Sequence, residues 1–461
     1  MRPIRFLLVN PSSPLWRVER PGAYRGPRTF RFSMLSSLYV AAAAPDNVET
    51  RIIDEDVEPV DFDADVDLVG ISFMTFNAPR AYEIADEFRR RGKTVIFGGY
   101  HPSFMPEEAG RHADAVCVGE AEGTLPRLIA DFGGGRLQSY YRSEPVDLRG
   151  LRIPDRSLIR ASAYLTPDVV QATRGCPYRC TFCSVAAFAR YRFRARPVDE
   201  VIDELRGLGR YLLFMDDNII GDRDYACELF ARMAPLGKRW FSQCSIRIAD
   251  DAELLRSAAA SGCRGLFVGL ESVAQDNLKA WRKTFNRASD YSRAIARLHD
   301  AGIAVYAGLV FGMDGDSPDI FARSLDFLYE SHVDALQATL LTPFPGTPLF
   351  DEMDRQGRIV TRDWSLYDFA HVVFEPLHMS PETLRVGKDW VQSRFYSRRS
   401  VLRRTLQAFS YLNPAIMLRA HIPLNLGYRR RHRACGTFRR GRPFDSEPAQ
   451  RCAASTAIAQ P

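Results

Sequence analysis

Thr173-Arg174-Gly175-Cys176-Pro177-Tyr178-Arg179-Cys180-Thr181-Phe182-Cys183-Ser184 places three of the nine cysteines within eight residues, in a CxxxCxxC spacing. Three thiolates on one tight loop can hold three irons of a 4Fe-4S cluster, one short of the usual four-cysteine complement. The fourth iron is then left open for a substrate, as open positions on catalytic metals generally are. A zinc site would want a fourth Cys or His at matching spacing, and none lies close by. The apolar pair Val169-Val170 just upstream reads as a strand, so the cysteines occupy the loop that follows it.

From Pro167 onward, strand and helix signals alternate at about 25 to 35 residues per unit. The strand candidates are 169–173, 211–215, 240–244, 265–270, 303–311 and 335–341, separated by helical stretches such as 198–208, 251–260, 291–301 and 318–329. Six such units predict an incomplete (β/α) barrel with its site at the C-terminal strand ends. Upstream, apolar runs at 4–9, 50–53, 68–74, 94–97 and 115–118 alternate with helical periodicity. The stretch 79–91, for example, puts Ala81, Ile84, Ala85 and Phe88 on one face and stops at Gly92. The expected fold is thus α/β: an N-terminal Rossmann-like doubly wound parallel sheet, a partial (β/α)6 TIM-type barrel and a basic, mainly helical C-terminal extension. The expected divisions are 1–145, a connector at 146–165, the barrel at 166–375 and the extension at 376–461, its end beyond Gly441 reading as disordered.

At 461 residues, 46% hydrophobic and 26% charged, the chain has the composition of a globular protein of two or three domains. The N-terminus runs straight into a strand-like segment with no signal-peptide pattern. The longest small-apolar run, around Met34 to Ala44, is too short to span a bilayer. Nine cysteines without a disulfide-like framework suit a reducing cytoplasm. Charge is uneven. The segment 391–442 holds thirteen Arg and no Lys, Asp or Glu, so it carries +13 against a whole-chain +6, leaving −7 elsewhere.

The cysteine loop resembles the cluster loop of the radical S-adenosylmethionine (SAM) enzymes. The strand ends upstream resemble the cobalamin-binding domain that precedes the radical SAM domain in many members. That match lies in Gly98-Gly99-x-His101-Pro102 with Pro106-Glu107-Glu108 and in Gly119-Glu120-x-Glu122, while the polar run from Ser72 to Asn77 stands at another of these strand ends. Glycines suit a flat, bulky corrin because they allow close backbone approach. The family's DxHxxG loop is missing after the first strand, where Asn10-Pro11-Ser12-Ser13-Pro14 stands, which puts the lower cobalt ligand in doubt. Asp54 and the segment 17–28 carry no assignment.

The resemblance implies roles for further strand ends. Cys176, Cys180 and Cys183 hold the cluster. Asp216 and Asp217 match the position that contacts the amino group of SAM, and Glu271 matches the carboxylate facing SAM. Gly308 to Asp314, with Gly312, resembles the adenosine motif. Ser245 ends the third strand, and Phe182 packs against SAM or the cluster unless it is ordinary core. The cofactors implied are a 4Fe-4S cluster, SAM and cobalamin. A reduced cluster would deliver one electron, SAM would give Met and a 5′-deoxyadenosyl radical, and methylcobalamin would supply a methyl group to a substrate radical. The leading expectation is a cobalamin-dependent C-methyltransferase acting on an unactivated carbon. The alternatives are a ring-forming or ring-rearranging enzyme with the same cofactors and a non-catalytic redox or cobalamin-binding protein. Partners expected are a small-molecule or lipid-like substrate and an electron donor such as flavodoxin or ferredoxin.

In the tail, Leu402, Leu406, Phe409 and Leu412 form an apolar face bordered by Arg399, Arg403 and Arg404. Such a helix packs on the barrel with its arginines in water, lies peripherally on anionic lipid or meets RNA phosphates. The first is the default, and nucleic acid is the least favoured. Cys435 and Cys452 are too few for a second cluster.

Overall fold

The computed structural model describes residues 2–13 and 33–434. The segment 17–28, Cys435, Cys452 and the end beyond Gly441 lie outside the described residues. The first sheet comprises β1 Ile4–Asn10, β2 Val48–Asp54, β3 Leu68–Ser72, β4 Thr94–Gly98, β5 Ala115–Val118 and β6 Tyr140–Arg142. Its spatial order is β2-β1-β3-β4-β5-β6, parallel throughout. In β1, Leu7 and Val9 enter one apolar cluster while Phe6 and Leu8 enter another. The period-2 alternation thus buries both faces of the sheet, as a doubly wound fold requires. The chain order reverses beside β1, which puts the ligand crevice at the carboxyl ends of β1 and β3 to β5.

The second sheet holds β7 Val169–Val170, β10 Tyr211–Phe214, β11 Arg239–Cys244, β12 Cys263–Glu271, β13 Ala304–Phe311 and β14 Ala335–Leu340. It runs β14-β13-β12-β11-β10-β7, again parallel. Between β7 and β10 lies a short antiparallel pair, β8 Thr173–Arg174 with β9 Arg194–Ala195. The intervening helices pack by their apolar stripes. In Val198–Arg206 the buried residues include Val198, Val201, Ile202 and Leu205, the i, i+3, i+4, i+7 pattern. Ala252–Ala260 starts where Asp251 accepts the amides of Glu253 and Leu254. The sheet's β14 edge is covered by the helix Pro381–Phe395, from which Gln392 donates to the Ala338 carbonyl at 2.9 Å. The next residue, Tyr396, engages both the amide and the carbonyl of Leu336. Side chains therefore satisfy backbone groups that an open edge would expose.

The two sheets share their cores. Ile159, Ala163 and Tyr164 of the connector join one apolar cluster of the first sheet. Phe344, Phe350, Trp364, Tyr367 and Val373, all beyond β14, join the other.

The C-terminal helices close the amino-terminal end of the barrel, where Ala408, Leu412, Ile416 and Met417 pack on Tyr211, Phe241 and Ala304. The helix Arg398–Ala408 is turned over relative to the default expectation. Its inward side is Ser400, Val401, Arg404 and Ala408, while Leu402, Leu406 and Phe409 are exposed. The cause is Arg404, whose guanidinium donates to the carbonyls of Asp334 and Phe395 and to Asn425 Oδ1, and lies 3.8 Å above the Phe395 ring. A cation satisfies the free carbonyls at a helix C-terminus better than a leucine could.

Asp334 anchors the same region. It accepts the Val305 amide at 2.8 Å and the Tyr411 hydroxyl at 2.6 Å, and lies 3.0 Å from His299 Nε2. Burial opposes its charge, but His299 and His421 outweigh burial and hold its carboxyl well below the usual carboxylate range. A depressed folded-state pKa contributes stability above the unfolded value of about 3.9 and loses it as pH falls. Asp334→Asn is therefore expected to cost about 3 kcal/mol at neutral pH. In denaturant titrations that difference should narrow progressively below about pH 4.

Candidate active site

The cysteine loop is framed by β8 and β9 and braced from below by β10. Gly175 opens it at φ +82°, where an added Cβ would sit 2.2 Å from the Arg192 carbonyl oxygen. Asp217 accepts the Gly175 amide at 2.8 Å. Asp216 accepts the amides of Ala172 and Thr173 and the Thr173 hydroxyl, the last two at 2.6 Å. Burial pushes Asp216 up to about 7 and Asp217 up to about 6. Asn218 completes the run, accepting the Ser245 amide at 3.1 Å and pointing Nδ2 at Cys176 Sγ, 3.9 Å away. Asp216 and Asp217 thus set the backbone that leads into the cysteines, and Asn218 faces the first of the three sulfurs.

Cys180 and Cys183 lie close enough to each other and to Cys176 for charge on one to oppose charge on the next. Burial, the larger effect, pushes Cys180 up to about 11 and Cys183 up to about 12. The loop is held on its other side by the segment after β12. Tyr178 stacks on Phe285 at 3.6 Å, Phe182 lies 4.9 Å from Trp281, and Thr181 donates to the Trp281 carbonyl.

From that same segment comes Lys283, which the sequence reading missed. It is buried and donates to Glu271 Oε1 at 2.7 Å. Burial opposes its charge, but Glu271 and Cys180 more than restore it, so its pKa is raised. Glu271 itself ends β12 at a register shift with φ +66°. This leaves a carboxylate-ammonium pair beside the cysteines. Ser245 follows β11 with its hydroxyl buried and unpaired among the described residues. Gly312 follows β13 at φ +104°, and an added Cβ would meet Leu384 at 2.8 Å. Its amide donates to Asp316, a second residue the sequence reading missed. Asp316 also accepts the Met313 amide and Asn277 Nδ2.

At the first sheet's carboxyl end, Gly99 has φ +101°, and a Cβ there would strike the Phe73 carbonyl oxygen at 2.7 Å and crowd Ser72 Oγ at 3.2 Å. Gly98 differs, since a Cβ would meet nothing nearer than Cys117 at 3.9 Å. His101 turns into the core, its Nε2 3.1 Å from the Tyr82 hydroxyl and 3.5 Å from Glu108. Glu108 also accepts the indole N–H of Trp364 at 2.7 Å.

Glu120 joins the two sheets. It takes both terminal nitrogens of Arg194, at 2.7 and 2.8 Å, accepts the Val146 amide and lies 3.4 Å from Arg174. Burial alone would raise its carboxyl, but Arg194 and Arg174 hold it below the usual range. Arg174, one residue before Gly175, donates to Glu122 at 2.6 Å. Tyr100, beside Gly99, stacks at 4.5 Å on Phe188 of the short helix that follows Cys183. The glycine loop of one domain thus touches the cysteine loop of the other.

A family model described as the B12 binding domain matches residues 26–129, and one described as the Radical SAM superfamily matches residues 170–328. Bacteriochlorophyllide d C-12(1)-methyltransferase of Chlorobaculum tepidum is 34% identical over 415 residues, spanning 87% of this chain and 89% of that protein. This chain belongs to the cobalamin-dependent radical SAM enzymes. The anaerobic magnesium-protoporphyrin IX monomethyl ester cyclase of Cereibacter sphaeroides is 25% identical over 66% of this chain and 55% of that one. The solved structure of the radical SAM methyltransferase TsrM from Kitasatospora setae, with cobalamin and a 4Fe-4S cluster bound, shares the fold. It aligns with a TM-score of 0.68 at 17% identity, covering 94% of this chain and all of that one.

The cofactors of this radical SAM enzyme are a 4Fe-4S cluster, SAM and cobalamin. The residues present suit them. Cys176, Cys180 and Cys183 lie near one another on a single loop, an all-thiol donor set. Three such thiols suit a cluster, in which each thiolate holds a different iron. The open backbone at Gly98, beside the tight turn at Gly99, suits the approach of a flat ligand to the sheet.

Proposed function

We propose that this radical SAM enzyme is a cobalamin-dependent C-methyltransferase acting on an unactivated carbon of a small molecule. The supporting observation is the 34% identity to a bacteriochlorophyllide methyltransferase through both domains. When bound, the cluster supplies an electron to SAM and cobalamin carries the methyl group. The chain's own work is to hold and shield. Cys176, Cys180 and Cys183 would ligate the cluster, and Asp216 and Asp217 keep their backbone in place. Glu271 and Ser245 would meet SAM, with Phe182 and the turn at Gly312 shaping its surroundings. Ser72, Gly98 and Gly99 would line the cobalamin crevice, and the Tyr100–Phe188 stack would hold the two loops together. An acidic electron carrier of the flavodoxin or ferredoxin kind would supply the electron.

The test uses reconstituted protein, reductant, methyl-labelled SAM and bacteriochlorophyllide d as the acceptor probe. Labelled product with one 5′-deoxyadenosine and one S-adenosylhomocysteine per methyl group is expected. Deoxyadenosine formed with no homocysteine product would overturn methyl transfer in favour of a ring-forming reaction.

For Glu271, the expected result of Glu271→Gln is a retained cluster and SAM affinity lowered about 10- to 100-fold in equilibrium dialysis. The double variant Glu271→Gln/Lys283→Met distinguishes direct contact from mere neutralisation of Lys283. Restored affinity there would show that Glu271 acts only on the lysine.

A further inference from the structure

The helix Arg398–Ala408 presents its apolar side to solvent, and nothing among the described residues covers it. Leu402, Leu406 and Phe409, at i, i+4 and i+7, lie on one face of three turns and are 61%, 63% and 54% exposed. Leu418, in the separate helical stretch Met417–His421, is 68% exposed. Arg398, Arg399, Arg403 and Arg419 are exposed in the same two elements. The segment 391–442 contains no acidic residue to neutralise them. Among the described residues none of these four arginines pairs with a carboxylate. The side that could have packed on the barrel is already used by Val401, Arg404 and Ala408.

We propose that this face docks peripherally on an anionic lipid bilayer. Leucine and phenylalanine would enter the headgroup boundary while the flanking arginines meet lipid phosphates. The charge argues against the other occupants. A second copy seated on the same face would bring two unneutralised arginine sets together. Nucleic acid would use the arginines and leave three large apolar side chains without a role. Among the described residues no helix is long and apolar enough to cross a membrane, so the attachment is superficial. The elements carrying the face cover the amino-terminal ends of the barrel strands, at Tyr211, Phe241 and Ala304. The cysteine loop lies at the carboxyl ends. Docking would hold the enzyme with its mouth directed away from the lipid. The proposal does not depend on which reaction the enzyme catalyses.

The test is flotation of the full chain with vesicles of phosphatidylcholine containing about one third phosphatidylglycerol. Binding is expected at about 0.1 M salt and should be largely lost at about 1 M salt or on phosphatidylcholine alone. The variant L402S/L406S/F409S should bind at least about tenfold more weakly with an unchanged melting temperature. R398Q/R399Q/R403Q should lose on the order of a hundredfold on the anionic vesicles. No flotation with anionic vesicles, or flotation that the serine variant leaves intact, would overturn the proposal. So would self-association in the absence of lipid that the serine variant abolishes. Binding to an RNA homopolymer without any flotation would assign the surface to nucleic acid instead.

Discussion

Cys180→Ala is expected to yield a folded protein with no 4Fe-4S cluster and with 5′-deoxyadenosine formation reduced by at least about a thousandfold. Cys180 is the middle thiol of the three and is buried, so neither solvent nor a neighbouring side chain can take its place as a ligand. With two thiolates, one iron more is left open and the cluster has no stable seat. Iron content, the brown absorbance and deoxyadenosine after reduction with SAM measure the outcome. Cys176→Ala and Cys183→Ala should behave alike. Cys244→Ala is the control, because Cys244 packs in the helix-covered core and should leave both cluster and product in place. Deoxyadenosine retained in any of the three loop variants would sink the cluster assignment.

Glu120→Ala is expected to lower unfolding free energy by about 3 to 5 kcal/mol, because it strands a partly buried Arg194 and weakens the charge balance at Arg174. Arg174 keeps Glu122, so the main loss is at Arg194. Removing both partners in Glu120→Met/Arg194→Met should recover at least half of that loss, since the stranded charge goes too. Denaturant midpoints measure the stability, and cobalamin retained after gel filtration measures the crevice. Glu120→Gln separates two roles. Weaker cobalamin retention at unchanged stability would mean that the carboxylate serves the corrin directly, and the clamp account would fall.

The features legible in the sequence are those with short-range causes. CxxxCxxC puts three thiols on one loop whatever surrounds it. The alternation of apolar runs and helical stripes specifies two parallel sheets, because each element must bury its own face. Gly99 and Gly312 stand at strand ends where only glycine turns without strain, so they too are visible locally. The residues that were missed act across distance. Lys283 is twelve residues from Glu271 and becomes its partner only through the turn after β12. Arg194 meets Glu120 across 74 positions, and Arg174 meets Glu122 across 52. Asp216 and Asp217 match a SAM-contacting position by resemblance alone, and the fold adds what no local pattern shows, their bonds to the amides of Thr173 and Gly175.

The last helix shows the division most clearly. Periodicity in 398–409 says that an apolar face exists, and the cysteine spacing says that a cluster does. Which face turns inward was decided by Asp334 and Phe395, whose carbonyls the folded barrel and the preceding helix deliver to Arg404. A pattern along the chain records what each residue prefers, whereas the partner that satisfies a buried charge exists only after distant segments have met.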